Sequence, residues 1–162
     1  MRRGYYPRAT VGYDAEGKEL FKVLGLWVIM DLNSRAMILP KKSGVVVEGI
    51  IRGDELTIPG GLTPKDLDGH ECRRVLFGDL DQNGHMNNTR YLEWMDDLLT
   101  AEFHQENEPK EISICYHAEA REGQMLHLNW QLSEEKELLV DALRQDPEDD
   151  QMHHVFAAKV QF

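Results

Sequence analysis

Two rhythms of apolar and polar positions run along the chain, one of period two and one of about 3.6 residues, and they mark strands and helices respectively. Residues Tyr5 to Tyr13, Glu19 to Asp31 and Arg35 to Pro40 read as strands, separated by the turn signals "DAEGKE" and "DLNSR". Together they predict an antiparallel meander of three strands. The middle one, "ELFKVLGLWVIMD", is apolar almost throughout, so the pattern predicts cover on both of its faces. From Lys41 to Gly69 glycine, proline and acidic residues replace any regular period, and the stretch reads as a linker between two units.

A strand is expected next, from Cys72 to Phe77, and then a helix. Asn87 or Asn88 suits its N-cap, and Leu92, Met95, Leu99 and Phe103 follow at spacings of three and four on one face. Tyr91, Trp94 and Leu98 widen that stripe. A helix so apolar along one side requires a sheet to lie on. Four strand-like runs supply it: "EISICYHAEA", "QMLHLNWQLSEE", "KELLVDALRQD" and "MHHVFAAKVQF". Strand, long helix and four antiparallel strands predict an α+β unit of hotdog type, one long helix wrapped by a curled antiparallel sheet. The expected organisation is the C-terminal strands of a truncated first hotdog over residues 1–42, a linker over 43–69, and a complete second hotdog over 70–162.

Composition narrows the class. At 162 residues, with 41% hydrophobic and 29% charged, the chain can bury a core and is not disordered. A net charge of −11 disfavours nucleic acid or an anionic membrane surface as a partner. Cys72 and Cys115 are too few for a disulfide framework, and no apolar run resembles a signal peptide or a membrane span. A cytoplasmic location is the simplest expectation.

The candidate chemistry lies in "FGDLDQNGHMNNTRY", Phe77 to Tyr91. Its opening matches the D-x-D-x-N-G of a calcium loop, but the twelfth position, where a bidentate carboxylate belongs, is Arg90. A hydrolytic reading has a positive case. In an extended chain Asp81, Asn83 and His85 would face one way, beside a helix N-terminus whose unpaired N–H groups suit a developing oxyanion. A well-capped loop that only satisfies its own backbone accounts for the same residues. The adjacent His153 and His154 would face opposite sides of a strand and suggest no metal.

Three segments carry a resemblance. "DLDQNGHMNNTRYLEWMDD" resembles the D-L-D-x-N-x-H-x-N-N-x-x-Y-x-x-W signature of the acyl-acyl-carrier-protein (acyl-ACP) thioesterases, "ICYHAEA" looks like their Y-x-x-E strand, and "LWVIMDLNSRAMILP" is similar to their W-x-x-M-D-x-x-[ST]-R element. The resemblance implies a double hotdog that hydrolyses fatty acyl thioesters on acyl carrier protein, with the N-terminal part of the first hotdog missing here. It carries the catalytic positions over to Asp81, Asn83, His85 and Glu119. Glu119 would activate water, His85 would relay the proton while held by a partner such as Asp81, and Asn83 with backbone N–H groups near Met86 and Asn87 would meet the oxyanion. Trp27, Arg35, Asn87 and Asn88 are the candidate substrate-binding residues. No metal or cofactor is implied. Ala120 stands where some members carry a cysteine, so a covalent mechanism at that position is excluded.

The implied partner is acyl carrier protein with its phosphopantetheine-linked acyl chain. Because that carrier is itself acidic, acyl-coenzyme A stays open as the alternative substrate, and a non-catalytic acyl-binding hotdog is the third reading. An N-terminal meander without its helix would expose apolar surface, which predicts self-association or a homo-oligomer.

Overall fold

A computed structural model of the chain describes residues 5–34, 36–45, 62, 67–145 and 151–162. It divides into two compact units, Met1–Pro59 and Gly60–Phe162.

In the first unit β1 (Tyr6–Tyr13) pairs antiparallel with β2 (Glu19–Trp27). Asp14 builds the turn between them, its Oδ1 accepting from the backbone N–H of Glu16 at 3.1 Å and of Lys18 at 2.7 Å. A second, separate pair joins β3 (Ile29–Met30) to β4 (Met37–Ile38), and the short helix α1 (Pro40–Ser43) follows. The expected three-strand meander is therefore two independent ribbons. The physical reason is register: Trp27 pairs with Tyr6, the first residue of β1, so beyond Trp27 the partner strand has ended. Nor is the middle strand covered on both faces, since Leu20, Phe21 and Val23 are 62%, 55% and 53% exposed. Among the described residues this two-stranded ribbon has no second layer to bury them. Arg35, most of the expected linker and the acidic turn at 146–150 lie outside the described residues.

The second unit is a five-stranded antiparallel sheet of β5 (Gly69–Arg74), β6 (Glu111–Tyr116), β7 (Met125–Leu132), β8 (Glu137–Gln145) and β9 (Met152–Gln161), in the order β5-β7-β8-β9-β6. Period-two alternation sends Leu126 and Leu128 of β7, and Leu138, Val140 and Ala142 of β8, into one core. Helix α2 (Asn88–Asp96) lies on it through Tyr91, Trp94 and Met95. Fully burying a side chain of the size of Leu126 or Phe156 contributes about 1.5–3 kcal/mol, which makes this shared face the main source of the unit's stability.

The single long helix expected from Asn88 to Phe103 is two helices, α2 and α3 (Ala101–Glu106). Thr100 interrupts it by capping α3, its side chain accepting from the Phe103 N–H at 3.2 Å. The end of α2 tightens, with Leu98 and Leu99 donating to the carbonyls of Met95 and Asp96, and His104 Nε2 donating to the Asp96 carbonyl at 2.9 Å. Leu98, Leu99 and Phe103 still pack on the core, so the apolar stripe continues across the break.

Candidate active site

The stretch between β5 and α2 is a closed loop. A single 3-10 turn at Phe77–Asp79 opens it, with Asp79 Oδ2 accepting from the Leu76 N–H at 2.8 Å. Leu80 and Met86 then form an antiparallel bridge, and the Asn87 N–H donates to the Asp79 carbonyl at 2.8 Å.

Inside that bridge Asp81, Asn83 and His85 do not alternate along an extended chain as expected; they form a turn around the Asp81 carboxylate. Oδ1 accepts from the backbone N–H of Asn83 at 2.8 Å and of His85 at 3.3 Å, while Oδ2 accepts from Asn83 Nδ2 at 3.3 Å. Gly84 closes the turn at φ +73°, a left-handed conformation that glycine adopts without steric cost. The carboxyl is held below its ordinary value, chiefly by the Asn83 N–H, with burial opposing and the His85 N–H and the Asn83 side chain assisting.

Glu119 arrives from the other side of the unit. β6 was expected to run to Ala120, but it stops at Tyr116 because the N–H groups of His117 and Ala118 both turn to the Val155 carbonyl. The freed segment bonds to the loop instead, with the Met86 N–H donating to the Ala120 carbonyl at 2.8 Å. These main-chain bonds bring His85 Nε2 to 3.1 Å from Glu119 Oε2, in a half-buried position where the His85 side chain is 21% exposed and that of Glu119 46%. The ring thus faces Glu119 rather than Asp81, which meets His85 through the backbone. Arg121 stands 3.8 Å from the same Glu119 oxygen.

Helix α2 begins beside this pair. Asn87 is its N-cap, Oδ1 accepting from both the N–H and the hydroxyl of Thr89 at 3.0 Å. Asn88 is the first helical residue, and its carbonyl accepts from the Tyr116 hydroxyl at 3.2 Å. The N–H groups of Met86 and Asn87, expected as oxyanion donors, are already committed to Ala120 and Asp79. Beneath the pair Tyr91 is buried, and burial pushes its phenol up to about 12 against an opposing backbone hydrogen bond from Ala120.

Of the expected substrate-binding residues, Trp27 belongs to the first unit, exposed at 56% with the Arg8 guanidinium 5.3 Å from its ring centroid. Sequence reasoning missed Arg144, whose guanidinium donates to the Glu119 carbonyl and lies 3.3 Å from Gln124 Oε1. Gln124 in turn accepts from the Arg121 N–H at 2.8 Å, so β8 anchors the whole Glu119–Gln124 bend. No linear motif signals this role, because it depends on how β8 is registered in the sheet.

Residues 65–159 match the family described as the acyl-ACP thioesterase C-terminal domain. The chain belongs to that family. Among solved structures, this acyl-ACP thioesterase domain is similar to an acyl-ACP thioesterase from Bacteroides thetaiotaomicron VPI-5482, at 22% identity and a TM-score of 0.74, with 100% of this chain and 64% of that one covered. It is similar to the 12:0-ACP thioesterase from Umbellularia californica at 16% identity and a TM-score of 0.75, covering 99% and 63%. A structure described as an oleoyl thioesterase from Lactobacillus plantarum aligns at 26% identity and a TM-score of 0.69, covering 97% and 62%. These likenesses establish the hotdog-type fold. The chain spans less than two thirds of the length of each of the three. Among curated proteins none matches it. No helix of the described residues is long and apolar enough to cross a membrane.

Proposed function

We propose that this chain hydrolyses the thioester of a fatty acyl chain carried on acyl carrier protein and releases the free fatty acid. The observation that carries the reading is the His85–Glu119 contact at 3.1 Å, assembled from two distant segments within a unit of this family. Glu119 and His85 share the proton of an attacking water. The water oxygen adds to the thioester carbonyl, the C–S bond then breaks, and the shared proton passes to the departing thiolate. The Asn83 amide has two hydrogens, and with one given to Asp81 the other is free to meet the carbonyl oxygen as it gains charge. Asp81 fixes the turn that places both residues. Asn87 and Asn88 shape the site's edge by starting α2 there.

The first unit is read as strands of a preceding hotdog whose Trp27 and Arg35 border the acyl chain. The exposed apolar face of β2 favours self-association. Such an enzyme would serve fatty acid synthesis in the cytoplasm, and its hydrolytic step would need no metal or cofactor.

The test is thiol release from matched acyl-ACP and acyl-coenzyme A thioesters by the chain and by its Glu119→Gln variant. Turnover that favours the carrier protein and falls by about 10²–10⁴ in the variant is expected. Equal turnover by both proteins, or none by the parent, overturns the reading.

A further inference from the structure

Away from the loop, three side chains capable of binding a metal meet across β5 and β7. In the antiparallel register Cys72 pairs with His127 and His70 with Asn129, so all four side chains share one face of the sheet. Leu126 and Leu128, which alternate with His127, are fully buried, and the four therefore occupy the face turned away from that core. Cys72 Sγ lies 3.4 Å from His70 Nε2 and 3.2 Å from His127 Nδ1, and the three atoms are all within 4.8 Å of one another. The two imidazoles stack with centroids 5.6 Å apart.

We propose that His70, Cys72 and His127 form a zinc site, with one thiolate sulfur and two imidazole nitrogens as ligands and the fourth position open to water. Tetrahedral zinc, with bonds of about 2.3 Å to sulfur and about 2.0–2.1 Å to nitrogen, places sulfur and nitrogen ligands roughly 3.6 Å apart. The observed separations of 3.4 and 3.2 Å fall short of this by a few tenths of an ångström. His70 and Cys72 are exposed and His127 is half-buried, so small rotations of the side chains can make up the difference.

A second observation concerns the His70 tautomer. His70 Nδ1 lies 3.0 Å from Asn129 Oδ1, an acceptor, so Nδ1 carries the hydrogen and the lone pair is on Nε2, the atom that faces Cys72. A ligating histidine is commonly oriented in this way, its second nitrogen held by a neighbouring oxygen. Without a cation, the Cys72 thiol hydrogen can go to His70 Nε2 while His127, protonated at Nδ1, donates to the sulfur, so hydrogen bonds and a bound cation compete for the same three atoms. A cation satisfies all three atoms together. The choice of ligands, one soft thiolate and two imidazoles with no carboxylate, selects zinc over magnesium or calcium.

The site would clasp the edge strand β5, which leads directly into the His85 loop, to its neighbour β7. It shares no residue with the proposed hydrolytic pair, and it stands whether or not that reading does.

The experiment is titration of the full chain with zinc chloride followed by calorimetry, and with cobalt(II) followed by absorption. One equivalent of zinc bound at micromolar concentration, a raised melting temperature and a thiolate-to-cobalt charge-transfer band are expected. Cys72→Ala should abolish the band, His127→Ala should weaken zinc binding at least as much, and Asn129→Ala should weaken it by about 10-fold. Thermal melts of the metal-free variants confirm that each is folded. No zinc bound by the parent, a cobalt spectrum without the thiolate band, or undiminished binding by Cys72→Ala overturns the proposal.

Discussion

Arg144 on β8 donates from its guanidinium to the main-chain carbonyl of Glu119, the residue whose carboxylate faces His85. Its Nε is buried without a hydrogen-bond partner among the described residues, a state that costs stability. Arg144 is therefore a positioning residue for the Glu119 bend. Replacement by Met should lower kcat by about 10- to 100-fold through misplacement of Glu119. KM and the pH profile should hold, because the side chains of His85 and Glu119 are themselves unaltered. Steady-state kinetics across pH read both, and a shifted pH profile would argue for a direct part in proton transfer.

The Asp81 turn makes a prediction about acid. Its carboxyl is held below the ordinary range by the Asn83 and His85 N–H groups, so ionised Asp81 stabilises the turn at every pH above that range. That contribution is lost as pH falls through the depressed value. The amide resonances of Asn83 and His85 should shift together below the ordinary carboxylate range, and a midpoint at or above that range would contradict the turn. Asp81→Ala should abolish the transition and lower the thermal melt modestly at neutral pH, where the ionised carboxylate makes its contribution.

Tyr91 predicts the opposite limb. A phenol raised from 10 to about 12 in the fold loses its proton first in the unfolded chain, so stability is complete below pH 10 and falls as pH rises towards 12. Denaturant titrations at pH 9 and pH 11 should show a loss for the parent that Tyr91→Phe lacks. Equal losses in the two proteins would sink this assignment.

At the helix break, Thr100→Ala removes the oxygen that accepts from the Phe103 N–H. A loss of about 1 kcal/mol is expected by denaturant titration, with activity retained. Thr100→Ser should recover most of it, and a Ser variant as weak as Ala would mean that the hydroxyl is not the cap.

What the sequence made legible was local. The strands of the second unit follow from alternation such as Leu126 and Leu128 on β7, and the start of α2 from the capping chemistry of Asn87. The break at Thr100 was hidden because Leu98, Leu99 and Phe103 keep the helical spacing across it. The end of β2 was hidden because it depends on where β1 begins. Around His85, the residue types were evident but not the path of the chain, since Asp81 folds the segment through backbone bonds that side-chain alternation does not encode. The His70–Cys72–His127 cluster needed the register of β5 against β7, and its three members are scattered in the chain.

The loop from Asp79 to Asn87 is sewn shut by main-chain bonds, Asn87 to Asp79 across its mouth and Met86 to Ala120 across to the opposite segment. None of these stitches depends on the identity of a side chain at positions 82 or 85. Relatives could therefore exchange the chemistry displayed there, histidine for another base or none, while inheriting the same frame. For an engineer the loop is a socket, and His85 the fitting most readily swapped.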